Sequence, residues 1–312
     1  MKRDFINLAE YSSRYLLSLL DLAGRLKENK GKISGQLRGK TLGLIFQKPS
    51  NRTRVSFEVG IHQLGGHGVY LGPDEINLGK REATSDVAQT LSRYVDGIVA
   101  RTHSHQDIVD LARYSTVPVI NGLSDLFHPC QAMADILTIR ENFGTLKGLK
   151  LAYIGDGNNV CHSLLLACAK FGIDMAVAAP KGYFPSEEIF RSAQEIAHHA
   201  KSRITLTNNP EEAVKGAHVI YTDTWVSMGQ EAETKARLKI FKNYQINARL
   251  AAGADRNFIF MHCLPAHRGQ EVTDDVIDGP HSVIFDQAEN RLHAQKAILL
   301  FLLTNKKQRG SP

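Results

Sequence analysis

Cysteine pairs, glycine-rich phosphate loops, long apolar runs and basic–aromatic stripes are missing from this sequence, and each absence removes a class of function. The 312 residues hold four cysteines, Cys130, Cys161, Cys168 and Cys263. None is spaced as CxxC, so a zinc ribbon or dithiol redox motif gains little support, and four dispersed thiols fit a reducing cytoplasm better than a disulfide framework. No apolar run reaches the ~20 residues that span a bilayer. Met1–Glu10 carries Lys2 and Arg3 but no apolar h-region, so neither a secretory signal nor a transit peptide is expected, and the expected location is cytoplasmic. Aromatic residues are 7% of the chain and the net charge is +6. The lysines and arginines form no stripe interleaved with aromatics, so a nucleic-acid partner is not expected; a small anionic substrate explains the excess equally well.

What is present is a long alternation of strand-like and helix-like segments. The length suggests two domains of ~150 residues. Leu16, Leu19, Leu20, Ala23 and Leu26 recur at helical spacing, which predicts a helix from about Ser13 to Glu28. Strands are expected at Thr41–Phe46, Gly68–Leu71, Gly97–Arg101 and Val117–Asn121, with helices at Val55–Leu64, Ala83–Tyr94, Asp107–Ser115 and Cys130–Asn142 between or after them. After a connector the pattern restarts: strands Lys150–Ile154, Met175–Ala179, Arg203–Thr207, Val219–Thr222, Phe258–Met261 and a short Val283–Ile284, helices Val160–Phe171, Ser186–Ala200 and Pro210–Lys215, and an apolar last helix at Ala288–Leu302. The polar tail from Lys306 is expected to fray. The expected fold is α/β: two doubly wound parallel-sheet domains with a cleft between them, residues 1–145 and 146–287, the C-terminal helix 288–305 returning to the first.

Pro49-Ser50-Asn51-Arg52-Thr53-Arg54 lies between a strand and a helix. The first N–H groups of a helix point outward with the positive end of the dipole behind them. Ser50 and Thr53 add hydroxyls, and Arg52 and Arg54 add guanidiniums that fork onto phosphate oxygens. Two arginines alone would equally fit a solvated helix start. With two hydroxyls and a proline at a strand-to-helix turn, phosphate binding is the better reading, and the glycines and Gly-Lys-Ser/Thr ending of a Walker A loop are missing.

Other polar residues follow expected strands, where this architecture places sites. Arg101 ends a buried strand, in keeping with an anion partner or a structural ion pair. His128-Pro129-Cys130-Gln131 opens a helix with a donor to a carbonyl oxygen and an amide. Gly155-Asp156-Gly157-Asn158-Asn159 lacks the third glycine of a dinucleotide fingerprint, and Met175–Ala179 ends in no acidic residue for a ribose; Asn159 remains a binding candidate. Asp223 suits an ammonium, and Ser227-Met228-Gly229 suits an amino-acid head group, though a helix cap or loop is as good a reading of that pattern alone. His262-Cys263-Leu264-Pro265 follows another strand. Cys263 reads as a small buried hydrophobe, and a metal site through His262, Cys263 and His267 lacks a second ligand cluster. No metal and no cofactor are expected.

Taken together, Ser50–Arg54, His128–Gln131, Asp223 with Ser227-Met228-Gly229, and His262–Pro265 resemble the aspartate/ornithine carbamoyltransferase family over nearly the whole chain, and the last two motifs resemble its ornithine branch. The resemblance implies transfer of a carbamoyl group from carbamoyl phosphate to the δ-amine of L-ornithine, giving L-citrulline and phosphate in arginine metabolism. The first domain would bind carbamoyl phosphate and the second ornithine. By similarity Ser50, Asn51 (through its N–H), Arg52 and Thr53 hold the phosphate. Arg101 bridges phosphate and carbonyl oxygen. Thr53 and His128 donate to that oxygen, Gln131 holds the carbamoyl NH₂, and Arg291 adds a contact. Asn159, Asp223, Ser227 and the Met228 backbone hold the ornithine head group, and Cys263 and the Leu264 carbonyl lie near the reacting nitrogen and the carbamoyl NH₂. Asn51 stands where the family often has threonine. The 72–81 loop reaches a neighbouring subunit's site in this family, which implies a homotrimer or a multiple of trimers, with Asn77 where glutamine or histidine is common.

The chemistry needs neither metal nor covalent intermediate: the amine attacks, negative charge grows on the carbonyl oxygen, and phosphate leaves. Arg52, Arg54 and Arg101 are expected to raise the local potential and favour the neutral amine. A carbamoyltransferase for aspartate, putrescine or an acylated ornithine, a nucleotide-dependent dehydrogenase, and a catalytically silent ligand-binding or scaffold protein are the other readings.

Overall fold

The computed structural model describes residues 2–29, 34–76, 78–79, 81–227, 229 and 231–304. Two of the expected contacts, Asn77 and Met228, and the tail from Lys306 lie outside the described residues. The chain divides into two compact units. Unit 1 is Met1–Leu137 with Glu289–Pro312, and unit 2 is Thr138–Ala288.

Unit 1 begins with α1 (Ser13–Glu28), capped by the Ser12 side chain accepting from Tyr15 N–H, its Leu16, Leu19, Leu20 and Ala23 face buried. Then follow β1 (Thr41–Phe46), α2 (Asn51–Gln63), β2 (His67–Leu71), α3 (Pro73–Ile76), α4 (Thr84–Leu91), β3 (Gly97–Arg101), α5 (His105–Tyr114), β4 (Val119–Leu123) and α6 (Pro129–Phe143). The sheet runs β2-β1-β3-β4, every pairing parallel. β3 is buried along its whole length, as a strand between two helical layers must be, whereas β2 is an edge strand with Val69 exposed. The chain leaves β1 toward β2 on one side and β3 lies on the other, so the carboxyl ends of β1 and β3 flank the switch point of the sheet.

Unit 2 holds β5 (Lys150–Ile154), α7 (Asn159–Phe171), β6 (Asp174–Ala178), α8 (Glu187–Ala200), β7 (Ile204–Thr207), α9 (Pro210–Val214), β8 (Val219–Thr222), α10 (Thr234–Phe241), α11 (Ala248–Ala251), β9 (Ile259–His262) and α12 (Asp274–Ile277). Its sheet runs β7-β6-β5-β8-β9, again all parallel. Here the switch point falls between β5 and β8. The core beneath it packs Ile154, Ile220, Phe241, Ile246 and Phe260.

The last helix, α13, covers Ile284–Leu303, so the expected Val283–Ile284 strand is absent: Ser282 makes one isolated bridge to Phe260 and the helix starts at Ile284. From Glu289 onward it belongs to unit 1. Lys27 Nζ donates to Asn290 Oδ1 at 2.9 Å, Lys296 Nζ to Gln63 Oε1 at 2.9 Å, and Tyr15 meets Phe301 edge-on. Among the described residues, no helix is long and apolar enough to cross a membrane.

Candidate active site

In unit 1, α2 begins at Asn51, four residues earlier than expected. The anion motif is therefore the first helical turn itself. Ser50 is the N-cap, its Oγ accepting from Thr53 N–H at 3.2 Å, and Asn51 Oδ1 accepts from Arg52 N–H at 2.6 Å. These short side chains satisfy amides that a helix start otherwise leaves open, and an anion would compete for them. Arg54 closes the turn, its N–H donating to the Ser50 carbonyl at 3.2 Å, but its side chain is engaged along the helix. Its Nε donates to Glu58 Oε1 at 3.1 Å and its guanidinium lies 3.6 Å over the Tyr70 ring. Glu58 offsets part of its charge, which weakens the expected contribution of Arg54 to the local potential beside Arg52 and Arg101.

Arg101 closes β3 in register with Phe46. The ladder to β4 slips between Ala100 and Arg101, an irregularity of the kind that re-aims a side chain beside a site. The Arg101 carbonyl accepts from Gln47 N–H at 2.9 Å, and Gln47 Oε1 accepts from His103 N–H at 2.6 Å. His128 precedes Pro129, the first residue of α6, a position where proline loses nothing by lacking an N–H. His128 is buried. Burial holds its imidazole well below the ordinary value, and the Arg291, Arg101 and Arg52 guanidiniums push in the same direction, so the ring is neutral at working pH.

Behind these groups lies a buried polar chain. Arg291 Nη1 donates to Gln131 Oε1 at 2.6 Å, Arg291 Nη2 to Thr53 Oγ1 at 3.1 Å, and Gln131 Nε2 to Asp135 Oδ1 at 2.8 Å. Gln295, with its amide turned to suit its neighbours, accepts from Arg291 Nη2 at 3.1 Å and donates to Ser56 Oγ at 2.5 Å. Because Thr53 Oγ1 accepts from Arg291, its own hydrogen is left to donate elsewhere.

In unit 2, Asn158 caps α7, its Oδ1 accepting from the N–H groups of Val160 and Cys161. Its Nδ2 donates to Asp223 Oδ2 at 2.7 Å across the switch point. Asp223 Oδ1 accepts from Thr224 N–H at 2.8 Å and from Cys263 Sγ at 3.1 Å. Asn159, the residue expected to bind, is the first residue of α7, beside the cap. Ser227 and Gly229 (φ +98°) are described on either side of Met228. The segment before them is held by Arg237. Its Nη1 donates to Asp156 Oδ2 at 2.8 Å and to the Trp225 carbonyl at 3.0 Å, and its Nε donates to Glu233. Burial nevertheless leaves the Asp156 carboxyl above its ordinary value, against the pull of Arg237. Leu264 sits at φ +59° before a cis Pro265, a backbone region that a γ-branched residue rarely occupies and that clusters at functional sites.

Asp223, His262 and Cys263 each offer a ligand atom, all within 4.8 Å of one another. Hydrogen bonding ties part of the grouping: Cys263 donates to Asp223 and His262 Nδ1 accepts from Leu264 N–H at 2.9 Å, while His262 Nε2 lies 3.4 Å from buried Glu271 without a hydrogen bond among the described residues.

Two family profiles match: "Aspartate/ornithine carbamoyltransferase, carbamoyl-P binding domain" over residues 3–141, and "Aspartate/ornithine carbamoyltransferase, Asp/Orn binding domain" over residues 147–302. The chain belongs to the aspartate/ornithine carbamoyltransferase family. It is 54% identical over 303 residues to the ornithine carbamoyltransferase of Pyrococcus horikoshii, covering 96% of each chain. It is similar to the solved ornithine carbamoyltransferase of Pyrococcus furiosus (53% identity, 97% of each chain, TM-score 0.94) and to that of Gloeobacter violaceus (48% identity, 96% of this chain and 98% of that one, TM-score 0.88).

Within this family's framework, unit 1 brings together Ser50, Arg52, Thr53, Arg101, His128, Gln131 and Arg291, and unit 2 brings Asp223 to Cys263. The sequence reading missed Asn158, Asp135, Gln295 and Arg237. An asparagine directly before a helix is a capping signal. Gln131 with Asp135, and Arg291 with Gln295, are polar pairs at i, i+4 on otherwise buried helix faces, a spacing that puts both on one side.

The suppressed His128 titration has a consequence for stability. The unfolded chain takes a proton near pH 6.5 and the folded site resists it, so stability is complete above that pH and falls as the medium is acidified. Between pH 7.5 and pH 5 this residue should therefore withdraw part of the native protein's stability. His105 and His293, lowered chiefly by burial, add to the same slope. Denaturant midpoints across that range should decline steeply for the native protein and less steeply for His128→Gln; identical slopes would contradict the assignment.

Proposed function

We propose that the protein is an ornithine carbamoyltransferase, moving the carbamoyl group of carbamoyl phosphate onto the δ-amine of L-ornithine to give L-citrulline and phosphate. Residues 1–145 with helix 288–305 are read as the carbamoyl-phosphate domain, and 146–287 as the ornithine domain. The phosphate is assigned to the Ser50, Asn51, Arg52 and Thr53 turn with Arg101, and the carbonyl oxygen to Thr53, Arg101 and His128. Gln131 takes the carbamoyl NH₂, and Arg291 acts by holding Thr53 and Gln131. Asp223 takes the α-ammonium, with Asn159, Ser227 and the Met228 backbone completing the head-group site. Cys263 and the Leu264 carbonyl are assigned to the reacting nitrogens.

As the δ-nitrogen bonds to the carbamoyl carbon, charge builds on the carbonyl oxygen. The neutral His128 N–H, the Thr53 hydroxyl and the Arg101 guanidinium stabilise it, in a site where such donors are commonly worth several kcal/mol. The carbon–oxygen bond to phosphate then breaks and the phosphate takes the amine proton. The amine must first be neutral, and a lysine-like ammonium has a pKa near ~10. Turnover is thus expected to climb from about pH 7 toward 9; a flat profile with chemistry limiting the rate would count against this.

The observation that carries the reading is the junction of Asp223 with Cys263 in the sulfhydryl-to-carboxylate bond at the ends of β8 and β9; the Ser227-Met228-Gly229 motif, suited to an amino-acid head group, follows Asp223 in the sequence. The test is citrulline formation by the purified protein, run beside aspartate, putrescine and an acylated ornithine as acceptors. Citrulline from ornithine alone is expected; carbamoylation of another acceptor, or of none, overturns the assignment. Exposed Val55 and Val59 on α2 and Val69 on the edge strand β2 support self-association, proposed as a homotrimer or a multiple of it, and the proposed location is cytoplasmic.

A further inference from the structure

Gln131 and its two neighbours define an orientation that the carbamoyl contact alone would leave open. A glutamine amide presents an acceptor at one end and two donors at the other, and the ends are nearly the same size. Here each end meets a group of one kind. Arg291, which has only donors, reaches Gln131 Oε1 at 2.6 Å, and the Asp135 carboxylate, an acceptor, receives Gln131 Nε2 at 2.8 Å. All three side chains are buried, Asp135 at 0% exposure. Reversing the amide would set NH₂ against a guanidinium and C=O against a carboxylate, which buried groups do not tolerate. Gln131 and Asp135 are one turn apart on α6, so the pairing is built into a single rigid helix.

We propose that Asp135 is a specificity-determining positioning residue. By holding Gln131 Nε2 it commits Oε1, which keeps a second lone pair beside the Arg291 bond, to accept an N–H from the acyl group of the bound donor. The inference rests on the carbamoyl-phosphate reading above. It says why the site takes a carbamoyl rather than an acetyl group. Acetyl phosphate has the same phosphate, the same carbonyl oxygen and nearly the same shape, but its methyl group cannot donate. A fixed acceptor rewards NH₂ and is left unmatched by CH₃, which is how a polar site discriminates between isosteres. With Nε2 unanchored, the amide is held at one end only, and its acceptor is no longer fixed against the acyl group. Asp135 touches neither substrate in this scheme and acts through Gln131.

The test uses the intact protein with carbamoyl phosphate as substrate and acetyl phosphate as a competitive probe. In Asp135→Ala the KM for carbamoyl phosphate is expected to rise about tenfold, while the Ki of acetyl phosphate moves by less than about twofold, so their ratio falls about tenfold. Asp135→Asn keeps a partner of the same shape, but its amide carbonyl is a weaker acceptor than a carboxylate, so Gln131 Nε2 is held less firmly and only Arg291 fixes the orientation; the ratio should fall about threefold. An unchanged ratio would overturn the proposal, whether both ligands weaken equally, as a merely structural residue would give, or neither moves. If Asp135→Ala does not fold, Asp135→Asn decides by the same ratio. A native protein that makes no citrulline defeats the functional reading; a native protein that makes citrulline, with variants that keep its discrimination, defeats only this inference.

Discussion

Replacing Arg101 by alanine is expected to lower kcat/KM for carbamoyl phosphate by about three orders of magnitude. Loss of one oxyanion donor alone costs roughly 10²–10³ in rate, and Arg101 is assigned both a phosphate and a carbonyl contact, so the effect should lie at or above the top of that range. The side chain ends a fully buried strand and is 5% exposed. Its charge is felt by His128, together with those of Arg291 and Arg52. Removing one of three like charges around a buried imidazole does not undermine the fold electrostatically, so the loss should appear in kinetics and not as unfolding. Arg101→Lys keeps the charge but not the planar fork, and should recover only part of the activity. Steady-state kinetics with carbamoyl phosphate varied, beside a thermal scan, provide the check; a variant within tenfold of the native protein would remove Arg101 from the site.

Asp223→Asn is expected to cut kcat/KM for ornithine by about 10²–10³, with the KM for carbamoyl phosphate moving less than twofold. Two effects combine. The carboxylate that pairs with the α-ammonium is gone, and charge-assisted hydrogen bonds are the stronger kind. The new amide must also turn its NH₂ toward one of three donors that Asp223 now satisfies: Asn158 Nδ2, Thr224 N–H and the Cys263 thiol. Varying each substrate in turn separates the two KM values. Equal deterioration of both would point to a general disruption and not to a lost ornithine contact.

Much of this arrangement was legible because the sheets are parallel and doubly wound. In such sheets polar residues at strand ends collect at the switch point: the turn after β1 and Arg101 at that of unit 1, and Asp223 at that of unit 2. The failures have local causes. Helix α2 was expected from Val55 because Asn51–Arg54 read as ligand-binding turn, whereas those residues are both turn and first helical turn. The apolar Val283–Ile284 pair read as strand, and only tertiary context makes Ile284 the start of α13. Helices α10, α11 and α12 are short and owe their form to packing, which periodicity does not reveal. The buried supporting layer of Asp135, Gln295 and Arg237 lies within helices, so the search for polar residues at strand ends does not reach it.

Unit 1 is discontinuous in the chain, and this sets an order of events during translation. Ser50, Thr53, Arg101, His128 and Gln131 are all made early, but Arg291, which holds Thr53 and Gln131, is made only after the whole of Thr138–Ala288. At about 5–20 residues per second that interval is roughly 8–30 s. A nascent chain therefore exposes an unfinished anion turn throughout this wait, and any messenger truncated before the last helix yields a polypeptide without its guanidinium clasp.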